Sequence, residues 1–236
     1  MARGRVENLR VAGAPVADGQ GKTYWIDEPR QLRCMISPRR HDIVDRLAAA
    51  GALAIKDLAV ALGAQPSALY HHVQKLLAAG LVVESGYRIV NRRRERLYAT
   101  PAPRMRFYRA LQERRNAPTF RRIVSSMSRQ MARDFRTGIA SSRAVTAGHA
   151  RNLGMARLVA YPDRVTLARI NSLLEEVTEL LWRSPAEGAE PMVFAWTMAP
   201  LPHEAAGPGE SGAEVVGAAR KRRRGARASS RRRTSP

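Results

Sequence analysis

The chain has 236 residues, 41 Lys and Arg against 20 Asp and Glu, a formal net charge of +21 and a single cysteine. At 44% hydrophobic residues it can build a core, which excludes wholesale disorder, and one cysteine excludes an intrachain disulfide or any site drawing two thiolates from one chain. No apolar run approaches the roughly 20 residues of a membrane span, and the charged opening MARGRVENLR leads into no apolar segment of the signal-peptide kind. The expectation is a reduced, cytoplasmic protein with no membrane partner. Its charge surplus favours polyanions, nucleic acid first. Only Lys22, Lys56, Lys75 and Lys221 are lysines. A bias toward Arg explains that choice but not the excess of base over acid, so the location of the charge decides.

Residues 1–29 carry Gly, Pro and Asp without periodicity and read as a flexible arm. Ser37-Pro38 then supplies an N-cap and a proline at the first helical position. That helix places Ile43, Val44, Leu47 and Ala48 on one face and stops at Gly51. A second short helix spans Ile55–Leu62, behind a poor cap at Ala54, and stops at Gly63. A third starts near Pro66, turns Leu69, Val73, Leu76 and Leu77 inward and ends at Gly80. Leu81-Val82-Val83 reads as a strand and Arg96–Thr100 as its return, with an Arg-rich span between. Three short helices followed by a hairpin form the winged helix-turn-helix pattern.

The opposite face of the third helix presents small and hydrogen-bonding residues. Gln65, Ser67, Ala68 and His71 are candidates for contact with base edges in a major groove, and Tyr70, Gln74 and Lys75 complete that face, Tyr70 and Lys75 on sugar and phosphate. Arg92, Arg93 and Arg94, with Arg88 and Arg96, belong at or near the wing tip, where guanidinium groups can enter a minor groove or clamp phosphates. From Glu84 to Arg115 there are ten Arg and three Glu, so charge concentrates beside the proposed reading helix as well as in the tail.

Beyond the hairpin, Phe120, Ile123, Val124, Met127, Met131 and Phe135 fall at helical spacing. Leu153–Tyr161 reads as a strand, and Pro162-Asp163 opens a helix carrying Ile170, Leu173, Leu174, Val177, Leu180 and Leu181. Met192–Ala199 has strand length. The two helical seams are more often core or dimer contact than ligand box. If a small-molecule effector binds, Trp182, Met192, Phe194 and Trp196 are the candidates to line its pocket. From Glu204 the composition turns to Gly, Ala, Pro and Glu, and Arg220–Pro236 holds nine basic residues and no acid. That tail is expected to be disordered and to hold phosphates loosely. The expected fold is α+β and mostly helical: an arm (1–29), a winged helix-turn-helix domain (30–103), a smaller C-terminal α/β lobe (104–203) and a basic tail (204–236).

Chemistry-like patterns are weaker. His71 and His72 are adjacent and point about 100° apart, so they do not chelate one metal as an i,i+4 pair does. His71 is expected to face DNA and His72 to pack. His41, His149 and His203 are scattered. GPGESG (207–212) matches a dinucleotide-binding spacing but follows no strand, and GQGKT (19–23) has Val16 where a phosphate loop needs its first Gly. Glu175, Glu176 and Glu179 read as the wet face of a helix. No metal, cofactor or enzyme activity is expected.

The stretch from Arg30 to Thr100 resembles the ArsR-type family of bacterial winged helix-turn-helix transcriptional regulators. The resemblance is carried by PRQLRCMISPRRHDIVDRLAAAG, IKDLAVALGAQPSALYHHVQKLLAAGLVVE and ERLYAT, with SALYHHVQKLLAAGLV the most specific block. It implies a homodimer that binds double-stranded DNA and represses or activates promoters, often under an effector. On that analogy the reading helix is Pro66–Ala79 and the wing Leu81–Thr100. Metal-sensing members use clustered cysteines or His/Asp sets, whereas Cys34 stands alone here. A pair of Cys34 thiols across a dimer axis stays open, with a plain buried thiol as the default. The expected function is sequence-specific regulation, with some nucleoid association. The alternatives are a non-specific architectural DNA-binding protein and an interaction module with a vestigial helix-turn-helix.

Overall fold

The computed structural model describes residues 23–183 and 191–201. The arm up to residue 22, most of GQGKT, GPGESG, His203 and the basic tail lie outside the described residues. By internal contacts the chain forms two units, Met1–Phe194 and Ala195–Pro236. In the second, the described residues 195–201 contain neither helix nor strand.

The first unit opens with β1 (Thr23–Trp25), α1 (Pro29–Met35) and α2 (Pro38–Ala50). After β2 (Leu53–Ala54) come α3 (Ile55–Ala61), α4 (Pro66–Ala78) and the hairpin β3 (Val83–Val90) and β4 (Arg93–Ala99). β2 and β3 flank β4 in an antiparallel sheet. Next stand β5 (Arg104–Arg106), which runs parallel to β1, then α5 (Tyr108–Leu111), α6 (Ala117–Ile139) and α7 (Arg164–Arg183). The fold is mixed, mostly helical, with the helix-turn-helix in its N-terminal half.

Proline and glycine set the helix boundaries. Pro38 and Pro66 occupy first turns, where a missing N–H costs nothing. Ser37 takes the N-cap position of α2, but its hydroxyl makes no cap bond. The poor cap at Ala54 is compensated from within α3, where the Asp57 carboxylate accepts the Ala54 N–H at 3.1 Å. At the end of α4 the Leu81 N–H reaches the Leu76 carbonyl and the Gly80 N–H the Leu77 carbonyl, each at 3.0 Å. This Schellman closure needs the left-handed backbone that Gly80 adopts at φ +71°. A Cβ there would meet only the Tyr24 hydroxyl, at an ordinary 3.7 Å. Gly80→Ala is therefore expected to destabilise by about 1–2 kcal/mol through backbone strain alone. Thermal unfolding checks this, with Gly80→Asn recovering part of the loss.

Leu69, Val73 and Leu76 of α4 are fully buried against Ile43, Val44 and Leu47 of α2, Leu58 of α3 and Leu32 and Met35 of α1. Full burial of each such side chain contributes roughly 1.5–3 kcal/mol. This core does not stop at the expected boundary after residue 103. Ala110, Phe120 and Ile123 belong to it, so the first half of α6 packs on the winged helix.

Three expectations give way. The arm does not run to residue 29: Tyr24 and Ile26 are buried, and β1 pairs with β5. Gln31 Nε2 donates to the Tyr24 hydroxyl at 2.7 Å and to the Ala79 carbonyl at 3.3 Å, tying β1 and α1 to the end of α4. Second, Leu153–Tyr161 is irregular, and its Met155, Leu158, Val159 and Tyr161 are exposed. Third, Met192–Ala199 is irregular and largely exposed. A strand exists only through a partner that takes its N–H and C=O groups, and no described strand pairs with either segment. The sheet content described after residue 103 is therefore the short β5. α7 does follow Pro162-Asp163, with the Asp163 carboxylate accepting the Thr166 N–H at 2.7 Å. That bond holds Asp163 below the usual carboxylate range.

Candidate nucleic-acid interface

Burying Leu69, Val73 and Leu76 leaves the other side of α4 to solvent. Gln65, Ser67, Ala68, Tyr70, His71, Gln74 and Lys75 are all exposed. Ser67, His71 and Lys75 follow one another at intervals of four and form one stripe. His72 points partly inward. Burial first, then the neighbouring Arg40, lowers its pKa, so it stays neutral. α3 and α4 meet through Gly63, whose φ of +55° lets the chain turn within a few residues. Arg39 Nη1 closes that turn from α2 by donating to the Leu62 carbonyl at 3.4 Å.

The wing separates into two faces by strand alternation. On one face Arg88 Nη2 reaches Asp57 of α3 at 2.8 Å and Glu95 at 2.9 Å, while Lys56 Nζ reaches Glu95 at 2.6 Å. Glu95 is held below the usual carboxylate range, by Lys56 first and then Arg88. Arg88, on the third pair from the turn, thus ties the wing to α3, so its guanidinium is engaged by carboxylates and not left free near the tip. Its β3 register opposite Glu95 puts both side chains on the face covered by α3. The other face adjoins α4. There Arg96 Nη1 pairs with Glu84 at 2.5 Å, the Arg94 guanidinium lies 3.9 Å over the Tyr87 ring, and Tyr98 is close enough to feel both Arg96 and Tyr70.

At the tip Asn91 and Arg92 have φ of +50° and +63°, the signature of a two-residue type I′ turn. Asn tolerates this region and Gly suits it better still; an arginine there carries strain of about 1 kcal/mol or more. Arg92, Arg93 and Arg94 are all exposed. Tyr98 thus links Tyr70 of α4 to Arg96 of the wing, while Arg88 lies on the opposite face of the hairpin.

The remaining candidates separate. Arg104 and Arg106 stack on Trp182 at 4.7 and 4.9 Å and pair with Glu179 and Glu175 at 2.7 and 3.0 Å. Those two carboxylates therefore fasten α7 to β5. Met192, Phe194 and Trp196 are exposed in irregular chain. Cys34 is buried, and burial pushes its thiol pKa up, which favours the protonated form. Among the described residues no three His, Cys, Asp or Glu converge as metal ligands, and no helix is long and apolar enough to cross a membrane. Tyr24, Gln31 and Arg39 support α4 without standing out in the sequence. The signals that could have pointed to them are the alternation in TYWI and the Glu28-Pro29 helix start ahead of Leu32 and Met35.

Residues 35–85 match the family model described as a helix-turn-helix domain. That span runs from the end of α1 to the start of β3 and contains the α3–turn–α4 unit. No curated protein matches the chain. Fold and match together define a helix-turn-helix DNA-binding domain, the equipment of a transcriptional regulator.

Proposed function

We propose that the chain is a sequence-specific, homodimeric transcriptional regulator of the ArsR-like winged-helix type. The carrying observation is the exposed Ser67–His71–Lys75 stripe on a helix whose other side is fully buried, with Arg92–Arg94 on the adjoining wing. Each protomer places α4 in a major groove, with Gln65, Ser67, Ala68 and His71 toward base edges and Tyr70, Gln74 and Lys75 beside the backbone. Arg92, Arg93, Arg94 and Arg96 take phosphates or a minor groove, and Arg88 positions the wing. The exposed apolar residues of α7 and of the irregular segment before it support pairing of protomers through the C-terminal region. The alternative is a non-specific architectural binder driven by the Arg-rich tail. Selection of bound fragments from random DNA separates the two. An enriched inverted repeat that survives deletion of the tail supports the regulator; no motif, and binding lost with the tail, supports the alternative.

The strained turn makes its own prediction. Arg92→Gly is expected to raise stability by about 1 kcal/mol and to weaken DNA binding roughly tenfold, because strain is relieved while one guanidinium contact is lost. Melting temperature and binding titration on the same preparation check it. Unchanged binding would remove Arg92 from the interface.

A further inference from the structure

A shallow cleft of about 270 Å³ opens beside the C-terminal half of α4, lined by Arg30, Arg33 and Cys34 of α1, Arg40 of α2, and Lys75 and Ala78 of α4. Four cationic side chains meet there without a lining carboxylate, and none of the four forms an ion pair among the described residues. The acids nearest the lining residues in sequence are Asp27 and Glu28, just before α1, and Asp42 of α2, which accepts a hydrogen bond from Gln130 Nε2. Arg40 is fixed in place, its Nε donating to the Cys34 carbonyl at 2.6 Å. Lys75 comes from the same stripe as Ser67 and His71, so the cleft continues the exposed face of α4. Nothing in the α4 or wing interface uses Arg30, Arg33 or Arg40.

We infer that this cleft is a phosphate-binding track that holds the DNA backbone flanking the sequence read by α4. The inference rests on the DNA-binding reading above and extends its footprint to α1. The chemistry fits a backbone. Guanidinium groups match phosphate oxygens bidentately, and four cations line one open cleft. Ala78 and the Cys34 thiol offer no hydrogen-bond pattern that would single out a base or a sugar. A closed pocket would suit a free anion; this surface is open and continuous with the stripe.

The test uses full-length protein, the selected DNA site with long and with trimmed flanks, and a salt titration of affinity. Arg30 and Arg33 are both exposed, so Arg30→Gln/Arg33→Gln is expected to melt like the parent protein. Each phosphate contact contributes about 0.9 to the slope of log affinity against log salt, so the double variant should lower that slope by about two on the long site. On the trimmed site parent and variant should agree, and discrimination against a scrambled site should not change. An unchanged slope on the long site overturns the proposal. So does competition by inorganic phosphate at the cleft with the slope unchanged, which would make it a small-anion site. Ser67→Glu on the same probes keeps the two readings apart. If that variant binds like the parent, the role of α4 fails, whatever the cleft does.

Discussion

Ser67→Glu is expected to abolish specific DNA binding while leaving the protein as stable as before. Ser67 lies in the first turn of α4, exposed and one residue after Pro66. A carboxylate at that position interacts favourably with the helix dipole, by about 0.3–1 kcal/mol, so folding is not impaired. Against DNA the same charge acts in the opposite sense. It replaces a small hydroxyl by a longer anion at the end of the helix proposed to enter the groove. Losing a base contact costs about 1–3 kcal/mol, and like charges brought together at an interface cost several more. The sum corresponds to at least about 10²-fold to 10³-fold in affinity. Binding titration against a selected site, alongside thermal unfolding, checks both halves of the expectation. Retained binding with normal stability would place the reading surface elsewhere. Ser67→Ala supplies the steric control and should lose far less.

The second large effect concerns assembly. Leu173 and Leu180 stand seven residues apart on one face of α7, 43% and 58% exposed, with Leu174 and Val177 half-buried beside them. Met155 and Leu158, in the irregular segment before α7, are exposed apolar side chains as well. A double change Leu173→Asp/Leu180→Asp is expected to leave α7 folded, since both side chains already face water. It should convert a dimer to a monomer in sedimentation. Binding to a two-half-site operator should fall by about 10²–10⁴, because the second half-site no longer benefits from the effective concentration that linkage provides. Binding to a single half-site should hardly change. If the parent protein already sediments as a monomer, the dimer proposal fails outright.

Both predictions lean on features of unequal legibility. The α4 helix can be placed from residues alone, because its signals are local. Pro66 starts it, Gly80 ends it, and Leu69, Val73 and Leu76 recur at the helical period between them. The same holds for α2 and for the Phe120–Phe135 and Ile170–Leu181 seams, which lie in α6 and α7. Periodicity sustained over many residues leaves little room for another conformation.

Arg88 marks the limit of that approach. Its neighbours Arg92, Arg93 and Arg94 are also arginines, and composition cannot tell an anchor from a contact. Only the pairing of β3 with β4, and the arrival of Asp57 from α3, decide that Arg88 is held half-buried by carboxylates while the others stay in water. Tyr24 is a similar case. A three-residue strand carries almost no local signal, and β1 is stabilised by β5, which starts at Arg104, far along the chain. The segments at 153–161 and 192–199 err in the other direction, since apolar composition suits a strand but no strand forms without an edge to join.

By itself, then, the sequence determined the helix-turn-helix, its exposed face and the excess of positive charge beside it, all through short-range periodicity and backbone stereochemistry. The tertiary structure alone decided which arginines are left for a partner. It also decided which flanking segments enter the core, because ion pairs, strand pairing and burial join residues that local sequence does not connect.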